Sequence, residues 1–230
     1  DKSLISQLYG KGLTTKQLLS EQILVQSVGS QLRVSNAALL VFGKKPEQSI
    51  PEAKILCSEF KGTSGREIIS TREITGSIPY QAQQAMSLIS SWLERNYKLR
   101  GVEFRGTTLI PEVALREAII NALVHRKYSI PGAIKIALFQ DRLEIFSPGA
   151  LPGFINLNNL GDGTTYLRNP LIVKFCRKLR LLETLGTGIQ MIFESCKKKK
   201  LRKPEYREDG DFVKLIFYFE KMKVKKNIKA

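Results

Sequence analysis

The 230-residue sequence contains one histidine and three cysteines, and Cys57, Cys176 and Cys196 lie far apart without a CxxC pair. Structural zinc sites draw their ligands from closely spaced Cys and His residues. We therefore expect no zinc site, and we interpret the cysteines as reduced thiols of a protein core in a cytosolic environment.

Long apolar runs are also absent from the sequence. No stretch approaches the roughly 18 residues that a membrane-spanning helix needs, and no signal-peptide pattern is present. The sequence therefore predicts a cytoplasmic protein without a membrane partner. Hydrophobic residues still make up 43% of the chain, which is enough for a real core.

A third absence is the phosphate-binding loop GxxxxGK[ST], which excludes an ordinary helicase motor from this sequence.

Acidic residues are few, since 21 Asp and Glu face 37 Lys and Arg, for a net charge of +16. Such an excess favours an anionic partner such as nucleic acid, phosphate or acidic lipid. It is concentrated in a basic tail at 221–230 and in a basic segment that comprises Lys197, Lys198, Lys199, Lys200, Arg202 and Lys203. A solvated charged face is the alternative interpretation of both.

The stretch from Pro111 to Tyr128 predicts a buried helix with a polar column on one face. Glu117, Asn121 and His125 follow one another at intervals of four residues, so their side chains share that face. A carboxylate, an amide and an imidazole are costly against a core unless protein groups or a ligand satisfy them. The sequence leaves both explanations open.

Periodicity predicts six helices and six strands. The helices are expected at 15–27, 36–43, 80–97, 111–128, 170–180 and 189–197, and the strands at 53–60, 66–74, 101–109, 133–139, 142–146 and 212–219. Because strands and helices do not alternate regularly, we expect an α+β fold, in which helices cover one face of a mixed sheet. The Gly-, Asn- and Thr-rich connection at 150–169 is long enough to be a lid or binding loop.

Two glycine turns fall near the predicted helix. Ser147-Pro148-Gly149 ends a strand, and Gly186-Thr187-Gly188 opens a helix. The glycines permit close backbone approach, and a helix N-terminus offers N–H groups to an anion. Plain turns at the element ends are the alternative, just as Arg168-Asn169-Pro170 has the form of an ordinary helix start.

These motifs together resemble a known family. LREAIINALVHRKY at 115–128, DRLEIFSPGALP at 141–152, RNP at 168–170 and LGTGI at 185–189 are similar to bacterial and archaeal regulators labelled RecG-related ATP-dependent DNA helicases. The C-terminal half of that family resembles the GHKL, or Bergerat-fold, ATPases. NAALLVFGKKP at 36–46 and FKG at 60–62 resemble the segment that links this half to an AlbA-like, Schlafen-type DNA-binding domain.

The resemblance implies a domain organisation and a set of site residues. A GHKL-like sandwich would occupy 77–220, after a small α+β segment at 1–76 that represents a remnant or linker of the AlbA-like domain. Glu117 matches the glutamate that orients the attacking water, and Asn121 matches the asparagine that holds Mg²⁺ at the phosphates of ATP. The further residues implied to contact the nucleotide are His125, Arg126, Ser147, Gly149, Arg168, Asn169, Gly186, Thr187 and Gly188.

Three departures from the family patterns bear on activity. Ser147 stands where the GHKL enzymes have the Asp that reads the adenine amino group, and Leu151 replaces the second glycine of that motif. Lys127 replaces an Asp that the RecG-related family has after His-Arg. For His125, Arg126 and Arg168, a structural role in the scaffold is the alternative.

The resemblance implies an ATP- and Mg²⁺-binding regulatory module of a DNA-binding transcriptional regulator, with hydrolysis left open. The alternative is a degenerate GHKL scaffold that acts in dimerisation or binds nucleic acid through the basic segment. Helicase activity has no motor motif to support it. Because the sequence starts at Asp1 and ends in a basic tail, we expect it to be a piece of a longer protein.

Overall fold

The computed structural model describes residues 2–10, 12–26, 31–99, 109–182 and 186–219. In chain order, the elements are α1 (Lys2–Tyr9), α2 (Thr15–Ser20), β1 (Leu24–Gln26), β2 (Leu32–Val34), α3 (Asn36–Phe42), a short 3-10 helix (Pro46–Gln48), β3 (Ile55–Lys61), β4 (Glu67–Ile74), α4 (Ile78–Leu99), α5 (Glu112–His125), β5 (Ile134–Leu138), β6 (Arg142–Pro148), α6 (Pro170–Lys178), α7 (Gly188–Lys198), β7 (Glu205–Asp209) and β8 (Phe212–Tyr218).

A six-stranded mixed sheet with the strand order β4-β3-β5-β6-β8-β7 forms the centre of the fold. β3 and β5 are parallel and align Ile55 with Ile134, whereas all other neighbours are antiparallel. The parallel pair requires a crossover connection, and β4, α4 and α5 lie in it. β1 and β2 form a separate two-stranded antiparallel sheet.

Helices cover one face of the large sheet. Cys57, Ile136, Ile145 and Leu215 stand side by side across four strands and are all buried. α4 packs against β3 and β4, and α5 packs against β6 as well as against α4 and α7. The neighbouring row faces the other way and includes the exposed Lys135. This arrangement confirms the predicted α+β fold with a mixed sheet and a helical layer.

The two outer strands β3 and β4 come from the segment before residue 76. β3 nevertheless hydrogen-bonds directly to β5, which lies far beyond that position in the chain. The division into 1–76 and 77–220 therefore stays a prediction. The central sheet contains strands from both sides of the proposed boundary.

Several predicted elements have different ends in the structure. α2 begins after a Thr14 capping box, but it ends at Ser20 rather than at 27, and Gln22 then adopts a left-handed φ of 60°. α5 ends at His125 rather than at 128, since Arg126 is extended and the Lys127 N–H bonds the Pro148 carbonyl at 2.7 Å.

The sequence analysis missed three strands, and two predicted segments lie wholly or almost wholly outside the described residues. β1, β2 and β7 are short or polar, so they lack the apolar alternation that predicts a strand. The strand predicted at 101–109 falls, except for Leu109, outside the described residues, as does the basic tail. Among the residues that are described, no helix combines the length and apolarity needed to cross a membrane.

Candidate functional site

The polar column of α5 lines a cavity of about 180 Å³ between the helical layer and the 150–169 loop. Glu117, Asn121 and His125 all face this cavity. Most other side chains of α5 are buried in the core, and Glu117 itself is only 7% exposed. The helical spacing of four residues thus places three polar groups along one wall, as the sequence predicts.

The first turn of α7 lies directly against this polar column. A methyl group at Gly188 would overlap Glu117 Oε1 and would lie 3.2 Å from Asn121 Nδ2. Gly186 has a φ of +86°, and a methyl group there would lie 2.8 Å from the carbonyl oxygen of Gly163. The Gly-Thr-Gly turn is therefore held between α5 and the 150–169 loop, at distances that only glycine permits. Thr187 does not line the cavity.

The end of β6 also lines the cavity, next to α5. The Ser147 hydroxyl donates a hydrogen bond to the Ala122 carbonyl of α5 at 3.1 Å. Gly149 has a φ of +111°, and a methyl group there would overlap the Arg168 guanidinium. Both residues line the cavity, so three motifs from distant parts of the sequence meet at one site.

Arg168 and Asn169 bind the C-terminal end of α5. Arg168 donates to the carbonyls of His125, at 2.9 Å, and of Ala150. Asn169 donates to the carbonyls of Val124 and Arg126, both at 2.8 Å. The last carbonyls of a helix lack intrahelical donors, so these side chains satisfy them. Arg168 also lines the cavity, whereas Asn169 does not.

Arg126 lies outside the cavity, in contrast to its predicted contact with the nucleotide. Its guanidinium donates to the carbonyls of Glu52, Ile130 and Gly132, the last at 2.8 Å. It also lies over the Tyr128 ring at 4.9 Å. For Arg126, the structure therefore favours the alternative of a scaffold role, because backbone carbonyls accept from both terminal nitrogens of its guanidinium. Asn169 precedes α6 without a side-chain bond that caps it, and its amide donates to the end of α5 instead.

His125 is a neutral imidazole in this setting. Burial, and then the positive charge of Arg168, lower the pKa of His125 from 6.5 to about 4. At neutral pH the side chain thus adds no charge to the cavity.

The depressed His125 pKa predicts that the protein loses stability on mild acidification. Between pH 6.5 and 4 the unfolded chain binds a proton that the folded chain does not, so stability falls as the pH falls through this window. From pH 7 to pH 5 we expect a loss of about 2 kcal/mol, measured by urea unfolding at several pH values. Since the sequence holds one histidine, His125→Gln is a matched control that should flatten the dependence. Equal pH dependence in both proteins would contradict the prediction.

Outside the 150–169 loop, two polar residues of the cavity were missed by sequence analysis. Arg177 of α6 is exposed and lines the cavity, as does Tyr206 of β7. Arg177 sits in an amphipathic helix among ordinary surface cations, and Tyr206 lies in a polar strand without a motif. No sequence signal distinguishes either residue from its neighbours. The remaining lining is largely aliphatic and includes Ala118, Ala122, Ile145, Leu160, Val173, Leu182, Ile189, Val213 and Leu215.

The basic segment continues from the end of α7 toward β7, outside this cavity. Lys197, Lys198 and Lys200 are exposed, and Lys199 is half-buried. Arg202 lies over the Tyr218 ring at 3.9 Å, and Lys203 lies over the Phe193 ring at 4.5 Å. The segment thus presents several positive charges at one end of the helical layer.

The fold and the cavity together define an α+β sandwich with a largely aliphatic pocket under a long loop, in which glycine turns meet a row of polar side chains from α5. Residues 132–217 match the ATPase-domain family described as "Putative ATP-dependent DNA helicase recG C-terminal". The matched range covers the Ser147–Gly149 and Gly186–Gly188 turns, but it begins after α5 and so omits Glu117 and Asn121. It also omits 36–62, whose resemblance to an AlbA-linking segment stays a prediction.

One solved structure has a similar fold over nearly the whole chain. The DIP2311 protein from Corynebacterium diphtheriae superposes with a TM-score of 0.72 at 20% sequence identity, over 94% of this chain. This chain spans 37% of the length of that protein. No curated protein matches the sequence. The structural similarity therefore describes the fold, and the family match describes an ATPase-like domain.

Proposed function

We propose that this chain is a nucleotide-binding module whose cavity takes a nucleoside triphosphate, with ATP as the first candidate, in a regulatory protein associated with DNA. The observation that carries the proposal is the contact of the Gly188 backbone with Glu117 and Asn121 in a cavity that also contains Gly149 and Gly186. A backbone approach of this kind, at a helix N-terminus, suits phosphate groups. The family match at 132–217 supports an ATP-binding domain.

The residues of the cavity fit Mg²⁺ together with a phosphorylated ligand. Glu117 is the one carboxylate among the described residues that line the cavity, and Asn121 supplies an amide oxygen beside it. Within the described ranges, no three His, Cys, Asp or Glu residues converge on a metal position. Mg²⁺ commonly binds one or two protein oxygens plus phosphate oxygens and water. Asn121 would therefore hold the ion only together with the nucleotide. The ion would neutralise part of the phosphate charge.

The cations near the cavity suit the phosphates. Arg177 is exposed at the cavity edge, so its guanidinium is able to reach a ligand, whereas Arg168 already donates to two carbonyls. Arg177 is thus the better candidate for a phosphate contact. Glu117 would orient water at the terminal phosphate if the nucleotide is hydrolysed.

The Ser147 end of the cavity would receive the base. Ser147 uses its hydrogen to bond Ala122, so its hydroxyl oxygen faces the ligand only as an acceptor. An acceptor suits an exocyclic amino group such as that of adenine, although a neutral hydroxyl binds it less strongly than a carboxylate does. We therefore expect the site to discriminate among bases less strongly than it selects for the phosphates.

A thermal-shift experiment tests this proposal directly. Mg-ATP at about 100 times its Kd should stabilise the protein by about 2.7 kcal/mol, which raises the melting temperature by roughly 5–10 °C. Asn121→Ala should reduce the shift, and Lys135→Ala, on the opposite sheet face, should leave it unchanged. The absence of any shift with millimolar Mg-ATP, Mg-GTP and Mg-ADP in the wild-type protein would overturn the proposal.

A second candidate function is a scaffold that binds nucleic acid, or assembles as a homodimer, without nucleotide turnover. The exposed basic segment favours nucleic-acid binding, and the missing carboxylate at Ser147 favours loss of ATP turnover. Contacts between lysines and phosphates release counterions, so the affinity should fall steeply with salt and depend little on sequence.

Serine replacement of the basic segment tests the nucleic-acid candidate. Replacing all six cations of 197–203 should weaken binding to a DNA duplex and reduce the slope of log K against log salt by about 5, if each contacts one phosphate. Fluorescence anisotropy at several salt concentrations measures both quantities. A variant that replaces Lys54, Lys61 and Lys135 is a control for cations elsewhere on the protein. An unchanged salt slope in the 197–203 variant would exclude this segment as the binding surface.

A further inference from the structure

Tyr206 points into the cavity from the edge strand of the sheet. In β7 it pairs with Leu215, which continues the buried row of Ile145 and Ile136 on the helical face. Its neighbours Glu205 and Arg207 therefore lie on the other face, where Arg207 bonds Glu205 at 2.6 Å. The register of one strand thus brings the Tyr206 phenol to the cavity that Glu117 lines.

The Tyr206 ring is fixed by packing, but its hydroxyl is uncommitted. The ring meets Phe193 of α7 edge-on at 6.1 Å between centroids. It also separates the main cavity from a second one of about 300 Å³, which Arg202 and Lys203 line. Within the described part of the chain, the Tyr206 hydroxyl makes no hydrogen bond. The phenol is half-buried and lines the cavity, so its hydroxyl is available to a ligand.

Tyr206 is a hydrogen-bond donor beside a carboxylate. Burial raises its pKa above the ordinary value, and the negative charge of Glu117 raises it further, so the phenol stays protonated. The two side chains interact across space without a direct hydrogen bond between them.

We propose that Tyr206 is a further ligand-contacting residue of this site, which donates its phenolic hydrogen to an oxygen of the terminal phosphate of a nucleoside triphosphate. The inference rests on the proposed nucleotide function and adds specificity to it. Because Tyr206 lines the same cavity as Glu117, which would orient water at the terminal phosphate, the contact forms with the last phosphate of a triphosphate. A diphosphate lacks that group, so Tyr206 selects for the triphosphate form.

Tyr206→Phe isolates this contact, since it removes only the hydroxyl. Isothermal titration of the whole protein with Mg-ADP and with a non-hydrolysable Mg-ATP analogue should show roughly tenfold weaker binding of the analogue alone. The melting temperature without ligand should stay within about a degree of wild type, because no protein hydrogen bond is lost. Tyr218→Phe is the matched control: its hydroxyl bonds Glu205 at 2.8 Å on the opposite face, and it should leave both affinities unchanged.

The possible results separate the inference from the function on which it rests. Wild-type protein that binds neither nucleotide overturns the proposed function and this inference with it. Wild-type binding with equal affinities in Tyr206→Phe overturns the inference alone, and so does an equal loss for both nucleotides, which would indicate a purely structural tyrosine. Selective loss of the triphosphate analogue supports the contact.

Discussion

Replacing Arg126 with methionine is expected to lower the free energy of unfolding by about 2–5 kcal/mol and the melting temperature by roughly 5–15 °C. The side chain is only 1% exposed, and its guanidinium donates to the carbonyls of Glu52, Ile130 and Gly132. The Glu52 carbonyl also accepts from the Lys54 N–H at 2.8 Å. The other two would lose the donor that Arg126 provides, and each unsatisfied buried carbonyl costs about 1–3 kcal/mol.

The neighbouring Lys127 provides the control for this substitution. Lys127→Met makes the same change of charge at an exposed position, so it should alter stability by less than about 0.5 kcal/mol. Urea unfolding followed by circular dichroism measures both variants. Because Arg126 does not line the cavity, Arg126→Met protein that is still folded at low temperature should bind Mg-ATP like wild type. Normal stability combined with lost nucleotide binding would contradict the scaffold role.

Arg126 also shows why sequence alone does not determine which residues line the cavity. It follows His125 directly and belongs to the same motif, so it was expected at the same site. The helix ends at His125, however, and the extended backbone of Arg126 (φ −58°, ψ 152°) sends the side chain toward the loop before β3 and the turn before β5. The end of a helix depends on long-range bonds such as that of Lys127 to Pro148, which no local pattern specifies.

The elements with strong local signals were predicted well. The four-residue spacing of Glu117, Asn121 and His125 depends only on helix geometry, and the structure places all three on one wall. The glycines at 149, 186 and 188 were singled out for close backbone approach, and in each case a methyl group would meet a neighbouring atom too closely. The sequence thus indicated which glycines lie in crowded positions, and the structure identifies the atoms that lie close to them.

Residues whose position depends on tertiary pairing could not be predicted. β7 reads EYRED, and an edge strand with one apolar side chain gives almost no periodic signal. Tyr206 reaches the cavity only because β7 pairs with β8 in a register that aligns it with Leu215. Arg177 likewise depends on how α6 sits at the cavity edge. Both assignments require the sheet order and the packing of the helices, which lie beyond local sequence patterns.

Replacing Gly188 with alanine is expected to weaken Mg-ATP binding at least tenfold and to destabilise the protein by about 1–3 kcal/mol. Gly188 is the first residue of α7, where alanine would ordinarily favour the helix by about 0.5–1 kcal/mol. Its methyl group would instead overlap Glu117 Oε1 and approach Asn121. The packing conflict should exceed the gain in helix propensity, because α5 is held in the core on its other faces.

A double-mutant cycle with Glu117→Ala shows whether this contact is the cause. Truncation of Glu117 removes the overlapping carboxylate, so Gly188→Ala should cost little in that background or even stabilise it by about 0.5 kcal/mol. Urea unfolding of the four proteins gives the coupling energy, which should be about 1–3 kcal/mol. Additive effects would mean that Gly188 is needed for another reason, such as its turn geometry. Coupling in stability, with nucleotide binding lost in all three variants, would establish that Gly188 and Glu117 form one site.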